Sequence, residues 1–237
     1  MVEPIITNST DVLRSDYQSP LGTLNHWENS YLQEIEQLHN NNSELGEIWF
    51  GKALQKKIVN YINENFDKKI NILDIGCGNG VFLYKLSKKN FENLFGIDYS
   101  NNSIKLAQEI IKIKEKKHKK NFKINFFQED INKKNNENFI NKNNIKFDII
   151  HDKGSLDAFL MNKNNSIENY YKYFFSYSIK NKTIFIITSC NNTKEELLNK
   201  FPIEKGFKFI NEIQSQKFSF GGHEGNNHVT LIFQIVV

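Results

Sequence analysis

The chain is poor in the residues that would classify it at a glance. Of 237 residues, only two are cysteine, Cys77 and Cys190. That is too few for a disulfide framework, and both are expected to act as small buried apolar residues. The six histidines are scattered. The pair His223 and His228 has no cysteine or carboxylate cluster around it, so no metal site is expected. No apolar run approaches the roughly 20 residues that span a bilayer, and the N-terminus lacks the charged-then-apolar pattern of a secretory signal. A cytosolic protein without a membrane partner is the resulting expectation. There is no internal repeat and no sign of a second domain. A formal net charge of +4 is a weak pointer to nucleic acid, and the lysines between Lys112 and Lys120 read as a solvated helix end. One further absence matters. A dinucleotide fingerprint G-x-G-x-x-G beginning at Gly76 needs a glycine or alanine at 81, and Val81 stands there.

What is present is ordinary for a globular protein, 39% hydrophobic and 24% charged, with length enough for one α/β domain and a sizeable core. Its organising stretch is Asn71-Ile72-Leu73-Asp74-Ile75-Gly76-Cys77-Gly78-Asn79-Gly80. An apolar run of this kind reads as a strand buried on both faces, breaking into three alternating glycines before a helical pattern from Val81. Glycines let the backbone turn sharply and approach a ligand that a Cβ would repel. The stretch is therefore read as a nucleotide-type cofactor loop at the carboxyl edge of a sheet. The pattern D-x-G-x-G-x-G, with Asp74 ahead of Gly76, Gly78 and Gly80, resembles motif I of the class I S-adenosylmethionine (SAM) methyltransferases.

Other segments fall around it. Residues 1–24 read as a loose leader, and 25–237 as a single domain. Trp27, Tyr31, Ile35 and Leu38 recur at helical spacing, with Asn25 as candidate cap, and suggest a helix packed on the main sheet. Trp49 and Phe50 sit between Gly46 and Gly51, ahead of another helical pattern. Such aromatics could fold over a bound cofactor, excluding water and presenting π-faces to a cation. Leu94 to Asp98 reads as a second strand, with Asp98 18 positions beyond Gly80. A carboxylate at that spacing can take the vicinal hydroxyls of a ribose. Ser103 is the expected cap of the following helix. A third strand closes at Glu129-Asp130-Ile131. Residues 132–146, almost all Asn and Lys, read as a low-complexity, mobile insertion. A fourth strand ends in Asp152-Lys153-Gly154-Ser155, on the edge that carries chemistry in doubly wound sheets. Thr193 and Glu196 stand at capping-box spacing.

Assembled, these pieces resemble the methyltransferase-like protein 10 family, lysine methyltransferases of translation elongation factor 1A, from about His26 to the C-terminus. The specific parts are Gly46-Glu47-Ile48-Trp49-Phe50-Gly51, the Ile72 to Gly80 loop, Asp152-Lys153-Gly154, Ser189-Cys190-Asn191 with Thr193 to Leu197, and Phe218-Ser219-Phe220-Gly221-Gly222. The chain departs from that family at Asn192, where a tryptophan is usual, and at His151, where the family is more apolar. The resemblance implies a Rossmann-like, seven-stranded α/β sheet with helices on both faces and an antiparallel last strand. It implies SAM as cofactor, held by Asp74, Gly76, Gly78, Gly80, Asp98, Tyr99, Asp130 and Ile131. Asp152 would orient the acceptor ammonium, with Trp49 and Phe50 around it. Lys153 reads as a strand-end lysine, not a nucleophile. The implied partner is a protein substrate, elongation factor 1A. A methyltransferase of small molecules or nucleic acid remains an alternative, although the fourth strand end lacks the Pro-Pro-aromatic run of many nucleic-acid amino-methylating enzymes. A non-catalytic SAM- or RNA-binding protein is the second alternative.

Overall fold

The apolar run ahead of the glycines is β1 (Asn71–Ile75), and it lies inside a seven-stranded sheet. The computed structural model describes residues 19–41, 46–132, 139–214, 218–220, 223–225 and 227–237. β2 (Asn93–Asp98) and β3 (Ile124–Gln128) continue the sheet on one side, and β4 (Ile149–Lys153) and β5 (Ile184–Ser189) on the other, all parallel. β6 (Phe207–Glu212) forms the far edge. A separate hairpin, β7 (Phe218–Phe220) with β8 (His223–Gly225), precedes β9 (Val229–Ile235). The last strand, β9, inserts between β5 and β6 and runs antiparallel to both, as expected. The order β3-β2-β1-β4-β5-β9-β6 reverses direction between β1 and β4, which places a ligand crevice beyond their carboxyl ends.

Eight α-helices are present among the described residues: α1 (Leu24–Asn41), α2 (Gly51–Asn65), α3 (Val81–Ser87), α4 (Asn101–His118), α5 (Phe139–Lys142), α6 (Ser155–Leu160), α7 (Ile167–Tyr177) and α8 (Lys194–Lys200). No described helix is long and apolar enough to cross a membrane. The strands have apolar residues at consecutive positions because both faces of the sheet are covered. Neighbouring residues therefore enter opposite cores. Ile149, Ile186 and Ile232 join Ile58 and Ile62 of α2 and Leu83 of α3. Ile150, Ile187 and Phe233 join an aromatic core of Tyr170, Phe174, Phe185, Phe201 and Phe207.

Several local expectations change. Thr23, not Asn25, caps α1: its Oγ1 accepts from the His26 N–H at 3.3 Å, and Asn25 is already helical. α1 packs on α4, through Tyr31, Leu38, Leu106 and Ile110, and not on the sheet itself. Ser100 caps α4, accepting from Ser103 N–H at 3.1 Å. The capping box of Thr193 and Glu196 is formed as expected. Residues 1–18 of the supposed leader lie outside the described residues. Pro20–Gly22, however, form a 3-10 turn packed so closely on the end of α6 that a Cβ on Gly22 would meet Met161 and Asn162 backbone atoms at 2.7 Å. The Asn/Lys stretch is corrected in part. Residues 133–138 lie outside the described residues, but Ile140 on α5 is fully buried in the aromatic core, with Ile145 packed beside it. Lone isoleucines among polar residues make no periodic signal, so the sequence pattern missed them.

The strand alternation also decides Asp152. With Ile150 it faces the aromatic core, where its carboxylate accepts from Ser155 N–H at 2.9 Å, Leu156 N–H at 3.1 Å and Tyr170 Oη at 2.9 Å. Its exposure is 0%. Burial pushes its pKa up to about 7, against the lowering effect of those donors. It thus ties the start of α6 to α7.

Two stability measurements follow. Ile140→Ala should lower unfolding free energy by about 2–5 kcal/mol in urea titrations, the usual cost of truncating a buried aliphatic side chain. A change within experimental scatter would mean that α5 does not share the core. Asp152→Ala should cost roughly 1–3 kcal/mol or more by stranding buried donors. Unchanged stability with abolished catalysis would instead return Asp152 to a direct role.

Candidate functional site

A cavity of about 350 Å³ opens at the carboxyl ends of the parallel strands. The turn after β1 gives it Gly76, Cys77 and Gly78; the end of β2 gives Asp98 and Tyr99; the segment after β3 gives Glu129, Asp130 and Ile131. Lys153 ends β4 and Gly154 and Ser155 follow it, and Cys190 and Asn191 follow β5. Leu21, Trp27, Tyr31, Ile48, Trp49 and Phe50 complete its wall from the N-terminal side.

The glycine turn is held from four directions. Ser155 Oγ donates to Ile75 O at 2.8 Å, and Cys77 N–H to Ile97 O at 2.9 Å. Ser103 Oγ donates to Gly78 O at 2.9 Å, and Gly78 N–H to Asp98 Oδ2 at 3.1 Å. Gly76 has φ +62, and a Cβ there would strike Ser155 Oγ at 2.0 Å, so the tie to β1 requires glycine. Gly80 also has positive φ, but a Cβ on it would meet the Phe126 ring at 2.7 Å. It packs the turn against β3 and does not line the cavity, which separates it from Gly76 and Gly78.

Asp98 is 5% exposed and accepts from Ser100 N–H at 3.0 Å as well as from Gly78. Burial pushes its pKa up to about 6, with the two backbone donors working in the opposite direction. Asp74 is buried beneath the turn, where His151 Nδ1–H donates to its Oδ1 at 2.7 Å. The His151 ring stacks on Phe82 at 3.9 Å between centroids, which accounts for an imidazole in an apolar layer. Glu129 is anchored by the hydroxyls of Tyr173 and Tyr177, at 2.6 and 2.8 Å.

Trp49 and Phe50 reach the cavity as expected. Phe50 adopts φ 62, Trp49 packs on Trp27 at 5.3 Å, and Trp27 donates its indole N–H to Leu21 O at 2.7 Å. Asn79 ties this cover to the glycine turn by donating to Glu47 O at 2.8 Å. The Phe50 ring also lies against Gly154, where a Cβ would be 2.9 Å away.

Of the expected site residues, Asp74, Gly76, Gly78, Asp98, Tyr99, Asp130, Ile131, Trp49 and Phe50 line one cavity, whereas Gly80 and Asp152 do not. Asp152 is corrected from an acceptor-channel residue to a buried ligand of backbone amides, because it is on the wrong face of β4. Its neighbour Lys153, read as a surface lysine, is on the cavity face. The reading also missed Asp157, which lines the cavity and accepts from Ser189 Oγ at 2.6 Å, Cys190 N–H at 2.9 Å and Asn192 Nδ2 at 3.2 Å. Asn192, read as a departure that removes an aromatic wall, makes a polar tie to Asp157 instead. Gln55, Tyr31 and Glu34 were missed because they sit on helices whose pattern signals only packing. Gly221 and Gly222, part of the family resemblance, lie outside the described residues.

The charge balance is lopsided. Seven carboxylates, from Glu34, Glu47, Asp74, Asp98, Glu129, Asp130 and Asp157, line the cavity, and Lys153 is the one cationic side chain among its described lining residues. Burial raises the pKa of Glu34 and lowers that of Lys153.

Comparison with known proteins agrees with this geometry. The profile of the family described as "Methyltransferase domain" matches residues 66–234. EEF1A lysine methyltransferase 2 of Homo sapiens is 40% identical over 221 residues, covering 91% of this chain and 87% of that protein. Protein-lysine N-methyltransferase EFM4 of Saccharomyces cerevisiae is 31% identical over 227 residues, covering 91% and 94%. A TehB-like SAM-dependent methyltransferase from Corynebacterium glutamicum has a similar fold, with a TM-score of 0.57 at 17% identity over 90% of this chain and 100% of that one. A magnesium protoporphyrin IX methyltransferase from Synechocystis, solved with bound SAM, gives 0.54 at 12% identity, covering 77% and 78%. The sheet order, the single antiparallel strand and these matches agree: the chain belongs to the methyltransferase-domain family, in the group that includes EEF1A lysine methyltransferase 2 and EFM4.

Proposed function

We propose that the chain transfers a methyl group from SAM to a lysine side-chain amine, and that the acceptor protein is translation elongation factor 1A. The observation that carries this reading is that the bare backbone at Gly76 and Gly78 and the carboxylate of Asp98 open into the same cavity as Trp49 and Phe50. The names of the similar proteins point to the acceptor.

The cavity fits the cofactor. Its volume of about 350 Å³ is in the range of small-molecule sites. Asp98 stands where a ribose diol can donate to it, and Asp130 is assigned to the adenine amino group, with Tyr99 and Ile131 beside the base. Asp74 is assigned to the methionine side of the cofactor, held in place by His151. When bound, SAM supplies a sulfonium-activated methyl group. The protein then has to align a neutral amine with it and exclude water. Deprotonating a lysine of ordinary pKa at neutral pH costs roughly 4 kcal/mol. Trp49 and Phe50 desolvate the ammonium, which lowers that cost. The cavity carboxylates, Asp157 and Glu47 among them, attract the cationic side chain into place. Asp152 supports this arrangement only through α6.

Purified chain with labelled SAM should methylate elongation factor 1A on lysine, read by radiolabel and peptide mass spectrometry. Methylation of other proteins but not the factor would leave the chemistry and remove the acceptor. Trp49→Ala should reduce transfer by about tenfold or more, since misplacement of reacting groups is costly.

SAM affinity should depend on pH through Asp98. Donors on its carboxylate favour the ionised form, so binding is full above the ligand-free pKa and weakens as pH falls through about 6. Calorimetry should show that weakening, and Asp98→Asn should lower affinity at neutral pH at least about tenfold and flatten the pH profile. An unchanged profile in the variant would assign Asp98 to the turn alone.

A further inference from the structure

We propose that Lys153 is the counter-ion for the α-carboxylate of the bound methyl donor and so selects a donor that carries one. The inference rests on SAM being the cofactor. Lys153 ends β4 on the same face as Ile149 and His151, two residues apart each time, so strand parity aims it at the cavity. The ring of Phe50 lies 5.8 Å from Nζ, and the ammonium makes no ion pair or hydrogen bond with a described residue. A lysine in such a place normally has a carboxylate against it. Asp74, Asp152 and Glu47 are near enough to act on it electrostatically, yet Asp74 is already engaged by His151, and Asp152 by Tyr170 and backbone amides on the opposite face of β4.

The ligand's own charges favour the same pairing. SAM has two cationic groups, the sulfonium and the amino group, and one anionic group, the carboxylate. Seven cavity carboxylates can accommodate the cations, but they repel the carboxylate wherever it lies. Among the described lining residues only Lys153 carries a positive charge to set against that repulsion. Its lowered pKa is the state expected of a cation awaiting an anion, since a carboxylate brought to it would raise the value again. Lys153 therefore contributes at the methionine end of the cofactor, across the turn from Asp98 at the ribose.

Decarboxylated SAM, which keeps both positive charges and lacks only the carboxylate, tests this directly by calorimetry. Wild-type protein should bind SAM about tenfold or more tightly than the decarboxylated form. Lys153→Met should weaken SAM by a similar factor and leave the decarboxylated form within about twofold, while Lys153→Arg should keep part of the preference. Thermal melting identifies a variant that fails to fold, in which case Lys153→Gln and Lys153→Arg provide the same comparison. Equal losses for both ligands, or no loss for either, would overturn the assignment. So would peptide mapping that finds Lys153 itself methylated by added SAM, since the residue would then be an acceptor. Failure of the wild-type protein to bind SAM at all would instead sink the proposed function.

Discussion

A backbone that turns through Ile75 to Gly80 leaves carbonyls and amides that no strand or helix ladder can satisfy, and the site depends on how they are satisfied. Side chains from three other elements take them up. Ser155 holds Ile75 O, Ser103 holds Gly78 O, and Asp98 accepts Gly78 N–H, while β2 supplies a backbone acceptor for Cys77 N–H. The ties join the turn to the end of β2 and to the starts of α4 and α6. The result is a rigid cradle whose remaining open surface faces the cavity.

Beneath that cradle, Asp74 and His151 place a charged hydrogen bond in an otherwise apolar layer. The pair is tolerated there because His151 Nδ1 and Asp74 Oδ1 bond to each other and Phe82 covers the imidazole face, while His151 Nε2 has no hydrogen-bond partner among the described residues. It also joins β1 to β4 at the sheet's topological switch, beside their ladder. The cover from the N-terminal side is fastened to the glycine turn above this pair, through Asn79 and Glu47 O.

The electrostatic character of the cavity follows from its construction at strand ends. Carboxylates close β2 and follow β3 and β4, where they hold backbone amides, tyrosine hydroxyls or neighbouring serines. Their concentration favours cationic ligands and an amine brought in as an ammonium. Lys153 is the single cation set against them among the described lining residues.

The sequence by itself determined what repeats or breaks a local rule. The glycines after an apolar run, the acid at Asp98 and the capping box at Thr193 each announce a backbone conformation, and the α/β order follows from the alternating patterns. The aromatics between Gly46 and Gly51 were legible for a similar reason, being large residues where the chain must turn. What only the tertiary structure decided is which way a side chain points and what it meets. Asp152 and Lys153 differ by one position on β4, and the twofold alternation of a strand buried on both faces gives no hint of which face holds the ligand. The pleat sends the acid into the aromatic core and the lysine into the cavity. Ile140 was hidden for a related reason, because burial of a lone side chain depends on a hole supplied by distant residues. Gly80 resembles its neighbours in sequence and differs from them only in having Phe126 behind it. Local chemistry is written in the chain, whereas facing and contact depend on partners that sequence distance conceals.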